Sequence, residues 1–235
     1  MRALRLHQQA GPEGLTHEQA PAPEPGIGEV LIGVQAASFT ATELEWPSTW
    51  VDRLGHDRRP VIPGHEVSGT VAALGYGATG FAVGDPVYGL ADWYRDGALA
   101  EYVAVEARNL AAKPVPLEHV EAAALSLAGL TAWQALFVHG RLAAGQRVLI
   151  HGMGGGVGSL AVQLAQLHYP TSGSGDVIDR PWLSLVFISP LGRRPRKGLA
   201  TGGTTGVMRR RPPSTRTVAA ITLGRLVGCQ AWGGR

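Results

Sequence analysis

The chain has 235 residues, 45% hydrophobic and 17% charged, with a formal net charge of +3, a balance that suits a globular protein long enough for one large core or two modest ones. A single cysteine, Cys229, excludes an internal disulfide framework and a multi-cysteine zinc site and fits a reducing, cytoplasmic setting. No run of 18 apolar residues occurs and MRALRLHQQAG lacks the apolar stretch of a secretory signal, so neither a membrane span nor a membrane partner is expected.

The first elements in chain order read as short strands. MRALRL alternates polar and apolar residues, and the prolines of APAPEPGIG hold the chain extended on its way to EVLIGV (29–34). There Val30, Ile32 and Val34 share one face at period two. Further strands are expected at VSGTVAAL (67–74), VYGL (87–90) and ALAEYVAV (98–105), separated by glycine turns. This spacing predicts a compact barrel-like β domain over residues 1–115.

Residues 116–168 change character. LEHVEAAALSLAGLTAWQALFVHG predicts a helical stretch broken near Gly129. RVLIH (147–151) predicts a strand, followed by a glycine turn and a helix with Val157, Ala161 and Leu164 on one apolar stripe. The charge then reverses. Residues 1–168 hold 10 Lys+Arg against 16 Asp+Glu, whereas 169–235 hold 11 against 2. The last 67 residues include 11 Gly and 6 Pro, too little apolar surface to offset chain entropy, so a mostly disordered tail is expected. Within it WLSLVFI (182–188) reads as a strand, and TVAAITLGRLVG (217–228) as a strand or a weak helix.

The turn itself, Met153-Gly154-Gly155-Gly156-Val157-Gly158, has the chemistry of a dinucleotide-binding loop. Such loops need glycine for a tight turn, for close approach of backbone N–H groups to a pyrophosphate, and for helix–strand packing. The following helix N-terminus stabilises the phosphate charge. Gly155 and Gly158 fill the second and third positions, and Met153 stands at the first. Residues 154–158 are the candidate cofactor contacts.

PEPGIGEVLIGVQAASF, PVIPGHEVSGTVAALG, VGDPVYGL, GALAEYVAV, AALSLAGLTAWQAL and GQRVLIHGMGGGVGSLAVQLA occur in this order. Together they resemble the medium-chain dehydrogenase/reductase superfamily, in its zinc-independent quinone-oxidoreductase-like branch, over residues 1–167. The resemblance implies an α/β chain with a GroES-like β-barrel substrate domain (1–115), then a linker helix and the first βα unit of an incomplete Rossmann domain (116–168). It implies NADP(H), with NAD(H) left open, in a cleft with a small quinone or enone substrate, and it is compatible with a homodimer. His65 and Glu66 of PGHEVSG match the His-Glu of zinc-dependent relatives, but their cysteine positions fall on Thr40 and Leu127. Zinc is therefore not expected, and His65 reads as a hydrogen-bonded turn residue.

Thr131 matches a family position near the nicotinamide. Thr40 replaces an asparagine common in these relatives and is expected beside the cofactor at the substrate pocket. Trp46 and Trp50 fall where relatives line that pocket, and Trp93 and Tyr94 are expected to reach the same cleft. A flat aromatic wall suits a quinone. No residue stands out as the general acid. After residue 168 the resemblance stops, and the Arg/Gly/Pro-rich continuation reads like GC-rich coding DNA translated out of frame. A truncated or frameshifted, inactive or impaired oxidoreductase is the favoured expectation. Two other readings stay open: a non-enzymatic remnant, and weak nucleic-acid binding through RRPRK and RRR, which lack interleaved aromatics.

Overall fold

The computed structural model describes residues 1–40, 42–144 and 146–168 and the backbone of 218–222. The chain divides into two compact units, Met1–Leu130 and a second beginning at Thr131. The expectations of a disordered tail, of a strand at 182–188, of an out-of-frame continuation and of arginine-mediated nucleic-acid binding fall on residues outside the described ones.

In the first unit β1 (Arg2–Arg5) pairs antiparallel with β2 (Thr16–Gln19). A second sheet holds β3 (Glu29–Ser38), β4 (Glu66–Leu74), β5 (Pro86–Leu90), β6 (Tyr102–Glu106) and β7 (Leu110–Ala112). All its pairings are antiparallel, in the order β6-β3-β4-β5-β7. β-Branched residues at period two supply the core: Val30, Ile32, Val67, Val71, Val87, Val103 and Val105 are buried together. β3 runs four residues beyond the expected strand because register shifts between Leu31 and Ile32 and between Val34 and Ala36 re-aim its side chains. Gly69 faces Val34 beside the second shift, and a Cβ there would overlap the Gly33 carbonyl.

β2 and β7 escaped the sequence reading because THEQ has no apolar face and LAA spans only three residues. The stretch expected to pair from residue 98 joins the ladder only at Tyr102. Ahead of it, Leu99 donates to the Pro63 carbonyl and Glu101 to that of Arg2. A short helix, α1 (Pro47–Trp50), follows the 3-10 turn Glu43–Glu45.

Helix α2 (His119–Trp133) is continuous through Gly129, where a break was expected. Glycine costs roughly 1 kcal/mol against alanine in a helix interior, and the alanine- and leucine-rich neighbours are strong helix formers that absorb it. The regular pattern changes only at Gln134–His139, a wider π turn. Within the combined stretch His119–His139 an 18-residue window has a mean hydropathy of 1.3 and, by length and composition alone, is apolar enough to cross a bilayer. That differs from the expectation from unbroken apolar runs, since polar residues interrupt it without lowering the average. Ala122 and Ala123 are buried in the first unit, and Ala132, Ala135 and Leu136 in the second, so its apolar character also serves the packing of each.

The second unit contains β8 (Arg147–His151), α3 (Gly156–His168) and β9 (Val218–Thr222). β9 lies parallel to β8, from Arg147 opposite Val218 to His151 opposite Thr222. The sequence reading left 217–228 as a strand or a weak helix; Val218–Thr222 takes the strand form, and its pairing with β8 is what the sequence did not announce. The core gathers Leu136, Leu142, Val148, Ile150, Ala161 and Ala165. The buried line of α3 is Gly158, Ala161 and Ala165, one step round from the expected stripe, with Val157 and Leu164 half-buried beside it. Small side chains win that line because the helix start sits tightly against the preceding turn.

Candidate functional site

The glycine turn divides its work among named positions. Gly152 follows β8 with φ of 84°, a conformation that side-chain-bearing residues rarely adopt. Gly155 N–H donates to the Gly152 carbonyl at 3.1 Å, and Ser159 N–H to that of Gly155 at 3.0 Å. The N–H groups of Gly156, Val157 and Gly158 therefore precede the first i→i−4 bond of α3 and belong to its open N-terminus. A Cβ on Gly154 or Gly156 would meet nothing within 4 Å, whereas one on Gly158 would overlap the Gly152 carbonyl.

Gly152 was missed by the sequence reading, which sought the tight-turn residue at position 153. Met153 instead packs half-buried against the second-unit core. The result is an exposed backbone surface at Gly154–Gly156 in front of a helix dipole, a cradle for an anionic group. This fits the pyrophosphate of a dinucleotide. Thr131 lies half-buried on α2 within the same unit.

The first unit assembles a different cluster. His65 is 1% exposed, with Nδ1 2.6 Å from Glu43 Oε1 and Nε2 3.1 Å from the Arg95 carbonyl. A carbonyl only accepts, so Nε2 carries a proton. Glu43, also 1% exposed, accepts the Gly64 N–H at 2.7 Å on the same oxygen. Trp93 lies against the imidazole at 4.7 Å between centroids, and Trp46 meets Trp93 edge-on at 5.0 Å. The Thr40 carbonyl accepts the Glu43 N–H at 2.8 Å. Thus Thr40, Trp46 and Trp93 gather about one buried acid–imidazole pair.

Trp50 and Tyr94 sit elsewhere. Trp50 is buried with Leu6, Leu44 and Val61, its Nε1–H bonded to the Leu44 carbonyl at 2.8 Å. The Tyr94 ring lies 4.9 Å from the Arg53 guanidinium. Glu43 had no sequence signal: it is one carboxylate in a loop, brought to His65 only by the 3-10 turn.

Glu66 accepts the Leu127 N–H at 2.8 Å, and burial holds its carboxyl above the usual carboxylate range against that bond. His119 Nδ1 lies 2.8 Å from Ser68 Oγ, and burial, helped by Lys113, lowers its pKa. Both His65 nitrogens are engaged within the protein. Among the described residues no three His, Cys, Asp or Glu side chains are grouped to hold a metal ion.

Residues 26–115 match the alcohol dehydrogenase GroES-like domain. The chain is 34% identical over 162 residues to the chloroplastic quinone-oxidoreductase QR1 of Triphysaria versicolor, covering 67% of this chain and 49% of that one. It is 39% identical over 149 residues to the 2-methylene-furan-3-one reductase of Solanum lycopersicum, covering 59% and 37%. The solved quinone oxidoreductase of Coxiella burnetii superposes with a TM-score of 0.63 at 34% identity, covering 71% and 53%. The chain spans about half the length of the quinone oxidoreductases it matches.

Proposed function

Because the chain belongs, over ~70% of its length, to the quinone-oxidoreductase-like branch of the medium-chain dehydrogenase/reductase superfamily, we propose that its residues are built for zinc-independent reduction of a quinone or an enone C=C with NADP(H) or NAD(H). The observation that carries this reading is the glycine turn, with its open backbone at Gly154–Gly156 and its closed helix contact at Gly158. Bound nicotinamide cofactor would supply the hydride. The chain's part is to fix the pyrophosphate on the N–H groups of residues 156–158, with Gly154 and Gly155 leaving room for it, and Thr131 toward the nicotinamide. Thr40, Trp46 and Trp93 are assigned to the substrate side, the two indoles edge-on to each other and Trp93 resting on the imidazole of the Glu43–His65 pair.

Zinc independence rests on Thr40 and Leu127 at the cysteine positions and on the committed nitrogens of His65. In this reading residues 1–115 are the substrate domain, and the enzyme is cytoplasmic. We further propose that this polypeptide binds cofactor weakly. Anion binding at an exposed helix terminus contributes about 0.3–1 kcal/mol, against about 8 kcal/mol for a micromolar complex. Among the described residues only one βα unit and one parallel neighbour strand stand beside the turn.

The test is a ¹⁵N-labelled sample taken to millimolar NADPH. Amide shifts confined to residues 152–158 and the region of Thr131 support the reading, and Gly156→Val should remove them. Shifts elsewhere with a silent turn would sink it. Stoichiometric zinc in untagged purified protein would count against the metal-free mechanism.

A further inference from the structure

We infer that the second unit carries a docking surface for a segment of its own chain, residues 182–188, on an aromatic face at the end of α3.

Three rings meet at that face. The indole of Trp133 and the ring of Phe137, where α2 gives way to the π turn, lie 4.6 Å apart between centroids. The imidazole of His168, the last residue of α3, closes the group at 4.4 Å from Phe137 and 5.7 Å from Trp133. Phe137 packs half-buried against the second-unit core, but Trp133 is 42% exposed, and His168 is exposed with it. Leu164 and Leu167 stand four and one residues before His168, so helical spacing puts Leu164 on its face, and Leu167 beside them is 77% exposed. Large apolar side chains grouped on a surface mark a place of contact.

The path of the chain names the occupant. It leaves α3 at His168, inside the ring cluster itself, and is back in the same unit at β9, beside β8. Residues 169–217 are therefore tied at both ends to the body that bears the face. Within them WLSLVFI (182–188) has six apolar residues in seven, and elsewhere no more than two apolar residues adjoin. Thirteen residues separate His168 from Trp182. A flexible stretch of that length spans about 20 Å and keeps the segment near the face at an effective concentration on the order of millimolar. A second copy would compete from the far lower concentration of the protein in solution. Trp182 and Phe187 also offer rings to Trp133 and Phe137, and aromatic pairs gain more than their buried area alone. None of this draws on the cofactor reading, so either can fail without the other.

The test is ¹⁹F spectroscopy of the full chain labelled with 5-fluorotryptophan, the Trp133 signal being assigned through Trp133→Phe. The change of that signal between H₂O and D₂O measures its contact with solvent. In the parent it should be below about a fifth of the change seen for free fluorotryptophan, and independent of protein concentration. The double variant Leu185→Asp/Phe187→Asp puts carboxylates into the contact and should raise it at least about twofold. Leu199→Asp, outside the segment, should leave it unchanged, and amide exchange in β8 should stay at the parent level in both variants. A nitroxide on Val186→Cys, with Cys229→Ser, should broaden the Trp133 signal more than one on Thr204→Cys in the same background, and this arm decides the matter if the double variant does not fold. The inference is overturned if Trp133 is as open to solvent in the parent as in the double variant, or if labels at 186 and 204 broaden it equally. Protection that grows with protein concentration would assign the face to a second copy, and protection that needs phosphatidylcholine vesicles would assign it to a lipid surface; either result overturns the inference too.

Discussion

The cores of the two units are made of different material. The first interlocks valines and isoleucines from β3, β4, β5 and β6, with β3 and β4 paired from Val30–Leu74 to Ser38–Glu66. The second closes Leu136, Leu142, Ala132, Ala135, Ala161 and Ala165, with a buried glycine of α3, on two β8 side chains, Val148 and Ile150. Large β-branched side chains bury more area each and stabilise more; small ones let backbone approach backbone. The first unit therefore holds its shape by burying the side chains of a sheet, whereas the second combines leucine, valine and isoleucine burial with small residues that leave an open backbone turn at a helix start. The difference sets what each unit offers: a buried acid–imidazole–tryptophan cluster in one, an exposed main-chain turn before a helix start in the other.

The comparison breaks most visibly in the first core. Ile32 is fully buried, and Ile32→Ala should cost about 2–5 kcal/mol. Hydrogen exchange should show the loss across β3, β4 and β6, with the amides of β8 and α3 little changed. Equal loss in both units would show a shared core. Gly158→Val should cost about 1–3 kcal/mol through overpacking against the Gly152 carbonyl. Here exchange should quicken in α3 while the β3–β4 ladder keeps its protection.

A subtler effect is the pH dependence of the first unit. His119 has a folded pKa below its ordinary 6.5, so its contribution is whole above pH 6.5 and is lost as pH falls through the folded value. Glu66 has a folded pKa above its ordinary 4.5, so its contribution is whole below pH 4.5 and is lost as pH rises through the folded value. Denaturant midpoints against pH should flatten on the acid side in His119→Gln and on the neutral side in Glu66→Gln. Parallel curves for parent and variants would refute both assignments.

How far the sequence reveals these features follows from how local each one is. The glycine turn lies within residues 152–158, so its helix start and exposed backbone were legible from the strand–glycine–helix pattern alone. Even so, the positive-φ residue proved to be Gly152, because the sequence shows glycines without showing which one the chain bends at. The Glu43–His65–Trp93 cluster draws on three separate stretches and depends on the 3-10 turn at 43–45 and the loop after β5. No periodicity announces such a meeting. Trp46 and Trp50 were placed together by resemblance, yet only Trp46 meets the cluster, and Trp50 lies in the core instead. Gly129 misled for the opposite reason: a residue that usually punctuates a helix was outweighed by its neighbours. Strand β9 was one of two forms offered for 217–228, but its pairing with β8 joins residues about seventy positions apart, which no local pattern announces.

The central claim is the proposal that the turn at residues 152–158 cradles a pyrophosphate, with little further hold on a dinucleotide among the other described residues of the second unit. Titration of the purified chain with NADPH, followed by cofactor fluorescence, tests it directly. The account predicts a dissociation constant on the order of millimolar or weaker, with no turnover of a simple quinone above the uncatalysed rate. Micromolar binding, or measurable quinone-dependent NADPH oxidation, would contradict it.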